Sequence, residues 1–387
     1  MIHYKSDNYD KFFCIAGECP ESCCTGWQIM IDDESLERYR RAAEGEDIGI
    51  EFILPDPDRS VVTEADEAEK QDIKEHLRQV LSESIDWEEE CFKHKDGKCV
   101  LMTEGGLCSL QRAYGEAMLC RTCAAYPRHM EEFENVREWS LSLSCPEAAR
   151  LILSRTEKLS FSTWETDERD DPSEYEGVDG ELYLRLAEAR GEAYRLIQNR
   201  DLSFRAKAIA LAAFAAELQD CLDLCRIDEM DAVIRGAAER YAAMAGEVPA
   251  PSAFAETDAD REECDPLSRR LFSKMFELEV LRPGWLEIVD KTWQSWDDEL
   301  ILSPEDEIRA EQLLMFWVYT YFCGAVYDEL IYGKMMLAVC STWWIFQINK
   351  ANAFDGGLVE AAYKFAREIE HSDENLNALE DWFDHGE

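Results

Sequence analysis

Cys14, Cys19, Cys23 and Cys24 fall within eleven positions near the amino terminus, and the last two are adjacent. Adjacent or near-adjacent cysteines rarely reach the Cα separation and χ3 angle that a disulfide requires. Thiolates converging on a metal ion or an iron–sulfur cluster are the natural use of soft ligands so close together. The remaining cysteines follow the same bias. Of 15 in all, ten lie between Cys14 and Cys145, while Cys221, Cys225, Cys264, Cys323 and Cys340 are scattered over the rest. Residues Met1 to Asp7 have no basic stretch followed by an apolar one, so no secretory signal is expected and the protein is placed in the cytoplasm. Disulfides are rare there, and grouped thiols more often hold metals. The asymmetry marks the first third of the chain as its metal-binding part.

At 387 residues the chain exceeds one typical core and should divide. Its 83 acidic residues against 40 basic ones leave a formal charge of -43. Such a surface repels phosphate backbones, which argues against a nucleic-acid partner, and steers in cationic ones such as a lysine-bearing protein face.

Helical signals begin at Asp32-Asp33-Glu34-Ser35, an acidic first turn leading through Tyr39 to Ala43, after a short β-prone stretch from Ile29 to Ile31. A proline-containing acidic segment, 54–68, reads as a loop. Ile73, Leu77, Val80 and Leu81 then recur at helical spacing over 68–83. From Cys91 to Cys108 the glycines predict short irregular pieces, and a helix capped by Ser109 follows. Residues 133–144 alternate as one or two strands, and Pro146 opens a helix through Leu153. The acidic run from Glu165 to Gly180 cannot bury a core and predicts a solvated linker. Beyond it helices are expected over 181–198, 203–226, 229–245 and 267–281, with a break at 247–266. Ser303-Pro304-Glu305-Asp306 is a strong further helix start. Leu313 to Tyr327 is uncharged but shorter than the ~20 residues of a membrane span, so it reads as a buried helix with Met335 to Ile348 as its packing partner. The expected architecture is mainly α: a cysteine-rich module with short strands (1–160), an acidic linker (161–180) and an all-helical domain (181–387).

The amino-terminal thiols form three groups: Cys14, Cys19, Cys23 and Cys24; Cys99 and Cys108; Cys120, Cys123 and Cys145. Tetrahedral zinc and cubane clusters each take about four ligands, so nine thiols could serve two sites, or one site with bystanders. Cys221 and Cys225, one helical turn apart, read as core residues. The six histidines form no His-Glu-x-x-His pair.

Four motifs occur in order: Cys14-x4-Cys19-x3-Cys23-Cys24-x-Gly26-Trp27; Leu107-Cys108-Ser109-Leu110-Gln111; Cys120-x-x-Cys123-x-x-Tyr126-Pro127-Arg128; and Ser142-Leu143-Ser144-Cys145-Pro146-Glu147-x-Ala149-Arg150-Leu151. With them residues 10–155 resemble the flagellin lysine-N-methylase family, and the helical remainder agrees in length and character. The resemblance implies methyl transfer from S-adenosylmethionine to lysine ε-amines of flagellin, with a 4Fe-4S cluster in the enzyme and zinc as the alternative metal. Arg121, Tyr126 and Arg128, which flank the Cys-x-x-Cys, are the candidates for polar contacts to the donor or cluster. Trp27 is a candidate shield for the cluster. Two features are missing: a strand-Gly-x-Gly-x-x-Gly-helix unit that would cradle the donor, and a Cys-x3-Cys-x2-Cys run, since Gly26 stands where its third cysteine would fall. Two other classes stay open: a non-catalytic zinc- or iron-binding interaction protein, and a cluster-based redox protein.

Overall fold

The computed structural model describes residues 1–49, 67–168, 179–247 and 265–385. Most of the loop expected at 54–68, residues 169–178 of the acidic run, and the break with Pro249, Pro251 and Cys264 lie outside the described residues. The chain is mainly helical with a few short strands. It folds as two compact units: Met1–Phe12 together with Arg128–Glu387, and Phe13–Pro127. In sequence the second is an insertion following the first strand, β1 (Ile2–Ser6).

Within Phe13–Pro127, helix α1 (Asp33–Ala43) starts where the acids predict, with Asp32 accepting a hydrogen bond from Ser35 N at 3.0 Å. Leu36, Tyr39 and Ala42 form its buried face. Helix α2 (Glu67–Ser84) adds Leu77 and Leu81. Two miniature ladders follow: β2 (Ile85–Asp86) with β3 (Cys91–Phe92), and β4 (His94–Lys95) with β5 (Lys98–Cys99). The β-prone stretch at Ile29–Ile31 forms only an isolated bridge, Met30 opposite Cys91. Helix α3 (Ser109–Tyr114) departs from expectation at its start: Cys108, not Ser109, occupies the cap, without a capping side-chain bond, and the Ser109 N–H donates to Leu101 O at 2.8 Å. It stops at Gly115, whose φ of 79° suits only glycine well. Helix α4 (Arg121–Ala125) follows Cys120. The small core of this unit gathers Ile29, Leu36, Tyr39, Ile85 and Phe92, with Cys24, Cys99 and Cys120 among its members.

The other unit holds a four-stranded sheet of order β6-β7-β1-β8. Strands β6 (Arg128–Phe133) and β7 (Val136–Leu141) form a hairpin, β1 runs parallel to β7 with Ile2 opposite Val136, and β8 (Phe161–Glu165) runs antiparallel to β1 with Ile2 opposite Glu165. Between them lies α5 (Pro146–Leu153), bounded as the sequence predicts. Helices α6 (Gly180–Ile197), α7 (Phe204–Asp223), α8 (Met230–Ile234) and α9 (Ala237–Glu247) come next.

The helix expected over 267–281 is reduced to one turn, α10 (Arg269–Phe272), and a 3-10 turn. Side chains replace the helical ladder there: Glu279 N and O bond to the Asn375 amide at 2.8 and 2.9 Å, and Leu281 N donates to Glu368 at 2.9 Å. Helix α11 (Trp285–Gln294) precedes α12 (Pro304–Tyr321), which begins with Ser303 Oγ accepting from Asp306 N. α12 ends before Tyr327, giving way to a 3-10 turn and α13 (Ala325–Asp328).

α14 (Ile331–Asn352) is buried on nearly every side and packs against α12, as their apolar runs predict. α15 (Gly357–Ile369) and α16 (Asp373–His385) complete the unit. Gly333 allows α14 to approach α16, since a Cβ there would stand 2.4 Å from Glu380 O. The neighbouring buried Lys334 is held by Glu380 and Asp328, each at 2.7 Å. Among the described residues no helix is long and apolar enough to cross a membrane.

Candidate functional site

The thiols of Phe13–Pro127 come from separate short segments. Cys24 and Cys99 are tied by a backbone bond, Cys99 N to Cys24 O at 2.8 Å, and Cys108 and Cys120 sit at the starts of α3 and α4. Cys24, Cys99, Cys108, Cys120 and Cys123 are unbridged. They lie near enough to sense one another's charge. A hydrogen bond from Cys23 lowers the Cys24 thiol to about 7, and one from Cys123 lowers Cys120. The reciprocal bond from Cys120, followed by burial, pushes Cys123 far up. Burial lifts Cys99 to about 12 and also raises Cys108, and negative charge on Cys24 or Cys120 raises both further.

Five such thiols cannot ionise together without a compensating cation, and soft thiolates are the donors that zinc and iron–sulfur clusters take. In donor type, therefore, the group fits either metal. As the side chains stand, no three His, Cys, Asp or Glu among the described residues form a metal-holding arrangement. Instead Cys24 is hydrogen-bonded to Cys23, and Cys120 to Cys123.

The other sequence candidates are spread more widely. Cys14 is exposed and accepts from Ala16 N, and Cys19 Sγ donates to Glu21 O. Cys145 is buried at the start of α5 and belongs to the other unit. Cys91, absent from the three thiol groups of the sequence, is buried and accepts from Gln28 Nε2 at 2.9 Å. Cys221 is buried in the helical core as expected, but Cys225 is exposed at positive φ just past the end of α7 and is not a core residue.

Arg121 is exposed, and its N–H donates to Asp32 at 2.7 Å. The Tyr126 ring lies 5.7 Å from that of Trp27, whose indole donates to Cys23 O at 2.8 Å. Arg128 belongs to the other unit, where its guanidinium covers the rings of Tyr9 and Phe12 and donates to Phe12 O.

The Ser142–Leu151 motif lies in the helical unit. Ser142 Oγ and Ser144 N donate to Glu370 at 3.1 and 2.9 Å, and Tyr321 donates to its other oxygen at 2.9 Å. His371 Nε2 lies 2.9 Å from Ser144 Oγ. Burial pushes the Glu370 carboxyl up to about 7 and His371 down to about 2.

Sequence reading did not single out a cavity of about 1090 Å³ between the sheet and α6. Tyr4, Phe133, Phe161, Tyr183, Tyr194 and Tyr319 contribute aromatic walls. At its base Arg190 forms a buried bidentate pair with Glu138, which also accepts from Tyr183. The Tyr194 hydroxyl is buried without a hydrogen-bond partner. Tyr183, Arg190 and Tyr194, spaced along one face of α6, are the local signal for it.

The family model of the FliB lysine N-methylase C-terminal domain matches residues 190–387. The chain is 26% identical over 152 residues to the Lysine-N-methylase of Salmonella typhimurium, covering 39% of this chain and 32% of that protein. It is also 27% identical over 157 residues to the Flagellar biosynthetic protein FliU of Salmonella muenchen, covering 39% of this chain and 80% of that one. The match to the former thus spans about a third of that relative's length. No solved structure matches the chain.

Proposed function

The chain belongs to the FliB lysine N-methylase family, and from that premise we propose that it is a protein-lysine N-methyltransferase carrying methyl groups from S-adenosylmethionine to lysine ε-amines of flagellin in the cytoplasm. The family match over 190–387 carries the reading. The net charge of -43 supports it, because a strongly acidic surface draws in a lysine-bearing partner.

In the reaction a lysine Nζ, having lost its proton, attacks the methyl carbon. The N–C bond forms as the C–S bond breaks, and the bonding pair returns to sulfur. Desolvation of the lysine in a closed site favours the neutral amine that this attack needs.

A 4Fe-4S cluster, or zinc, would be held by thiolates drawn from Cys24, Cys99, Cys108, Cys120 and Cys123. When bound it supplies ligand bonds between segments that share only a small core. Cys23 and Trp27 border the group, the first through its bond to Cys24 and the second through its bond to Cys23 O.

Anaerobically purified protein is expected to absorb in the visible range as an iron–sulfur protein; a colourless preparation with stoichiometric zinc overturns the cluster. Incubation with methyl-labelled S-adenosylmethionine and flagellin is expected to label lysine. No transfer from a fully metallated preparation overturns the methyltransferase reading.

A further inference from the structure

We propose that the aromatic cavity between the sheet and α6 binds the adenosyl part of S-adenosylmethionine, and this assignment rests on the methyl-transfer reading. A volume of about 1090 Å³ is ample for a nucleoside with an amino-acid tail. The walls offer ring faces: Phe161 stacks on Tyr194 with centroids 5.0 Å apart, and Phe133 on Tyr183 at 4.8 Å. A purine can extend either stack. The Tyr194 hydroxyl supplies a buried polar group that the protein itself leaves unmatched, which is costly unless a ligand completes it.

Charge in the lining selects among nucleosides. Glu134, Asp179 and Glu181 are among the lining residues, Asp179 also capping α6 and Glu181 also pairing with Arg185. The Glu134 carboxylate lies against the start of α6, where a Cβ on Gly180 would stand 3.1 Å from both of its oxygens. Carboxylates accept hydrogen bonds from ribose hydroxyls, attract a sulfonium and an ammonium, and repel phosphate. The α6 arginines do not reverse that field. Arg190 is neutralised by Glu138, and Arg185 is paired with Glu181, Asp228 and Asp231. The site therefore suits a cationic nucleoside without phosphates.

Calorimetric titration of the full chain with S-adenosylhomocysteine and with S-adenosylmethionine tests the assignment, with ATP as competitor. Ala187→Trp, which places an indole in the cavity, is expected to weaken both ligands at least tenfold with the melting temperature kept. Tyr194→Phe, which removes only the hydroxyl, is expected to weaken them about threefold to tenfold and remains informative if the tryptophan variant does not fold. ATP is expected to compete at least a hundredfold less well. Unchanged affinity in folded Tyr194→Phe and Ala187→Trp, or equal competition by ATP, overturns the cavity assignment. The methylation assay separates the two ideas. If the wild type labels flagellin while the variants bind the donor normally, the cavity falls and the enzyme stands. If the cavity variants lose the donor but the wild type transfers no methyl group, the enzyme reading falls and the cavity stands.

Discussion

In the helical unit Trp317, Trp344, Phe214 and Phe365 are almost wholly buried around α14, and two buried cations there are paired, Lys334 with Glu380 and Arg190 with Glu138. In Phe13–Pro127 the buried positions between Tyr39, Ile85 and Phe92 are taken instead by Cys24, Cys99 and Cys120, and the ladders are two residues long. An extensive apolar core stabilises the first by removing surface from water. The second has placed ionisable sulfur where apolar groups would otherwise pack, so its stability should depend on what those sulfurs bind.

The largest expected effect tests the metal side of that contrast. If the proposed metal is bound, replacing Cys23 and Cys24 together by alanine should remove it and abolish the thermal transition of Phe13–Pro127, a loss on the scale of the ~10 kcal/mol of a structural metal site. The helical unit should melt as before. Unchanged metal content and melting would show that Cys24 is not a ligand and that Cys23 does not support one.

Trp344→Ala is the mirror experiment. It should cost the helical unit about 3–5 kcal/mol in urea unfolding and leave metal content unchanged; loss of metal would mean that the units are coupled. Gly333→Ala should cost about 1–3 kcal/mol, because the new Cβ would meet the Glu380 carbonyl at 2.4 Å. A neutral result would show that α14 and α16 separate easily.

Titration gives a subtler test. The folded Glu370, at about 7 against the usual 4.5, keeps a proton that the unfolded chain releases, so this group lowers stability as pH rises from about 4.5 to 7. The folded His371, at about 2 against 6.5, refuses a proton that the unfolded chain takes up, so it lowers stability as pH falls below 6.5. Between 4.5 and 6.5 the two contributions oppose and cancel. His371→Gln should therefore expose a slope of up to about 1.4 kcal/mol per pH unit, with the variant gaining stability relative to wild type as pH falls through that window. Parallel urea midpoints for the two proteins would refute the opposed pair.

Helix starts such as Asp32 and Ser303, and the bounds of α5 from Pro146 to Leu153, were readable because capping and proline effects act within one turn. The apolar runs of α12 and α14 were readable as buried helices because burial on all sides leaves a continuous uncharged stretch. The short helix at 269–272 was not, because Asn375 and Glu368, about a hundred residues away, take the backbone groups that a helix would have used. Of the candidate site, the clustering of cysteines was legible, but not which thiols meet. Adjacent Cys23 and Cys24 differ in role only once Cys99, Cys108 and Cys120 are brought beside one of them.

By itself the sequence determined the helical class, the cysteine-rich segment and the acidic surface, since composition, periodicity and caps are local properties. Tertiary structure alone decided that Ile2–Ser6 pairs with strands beginning at Val136 and Phe161, that Glu138 meets Arg190, and that aromatic side chains from the sheet and two helices enclose one cavity. Each of these depends on groups far apart in the chain whose contact repays the loss of chain entropy only when the whole unit has assembled.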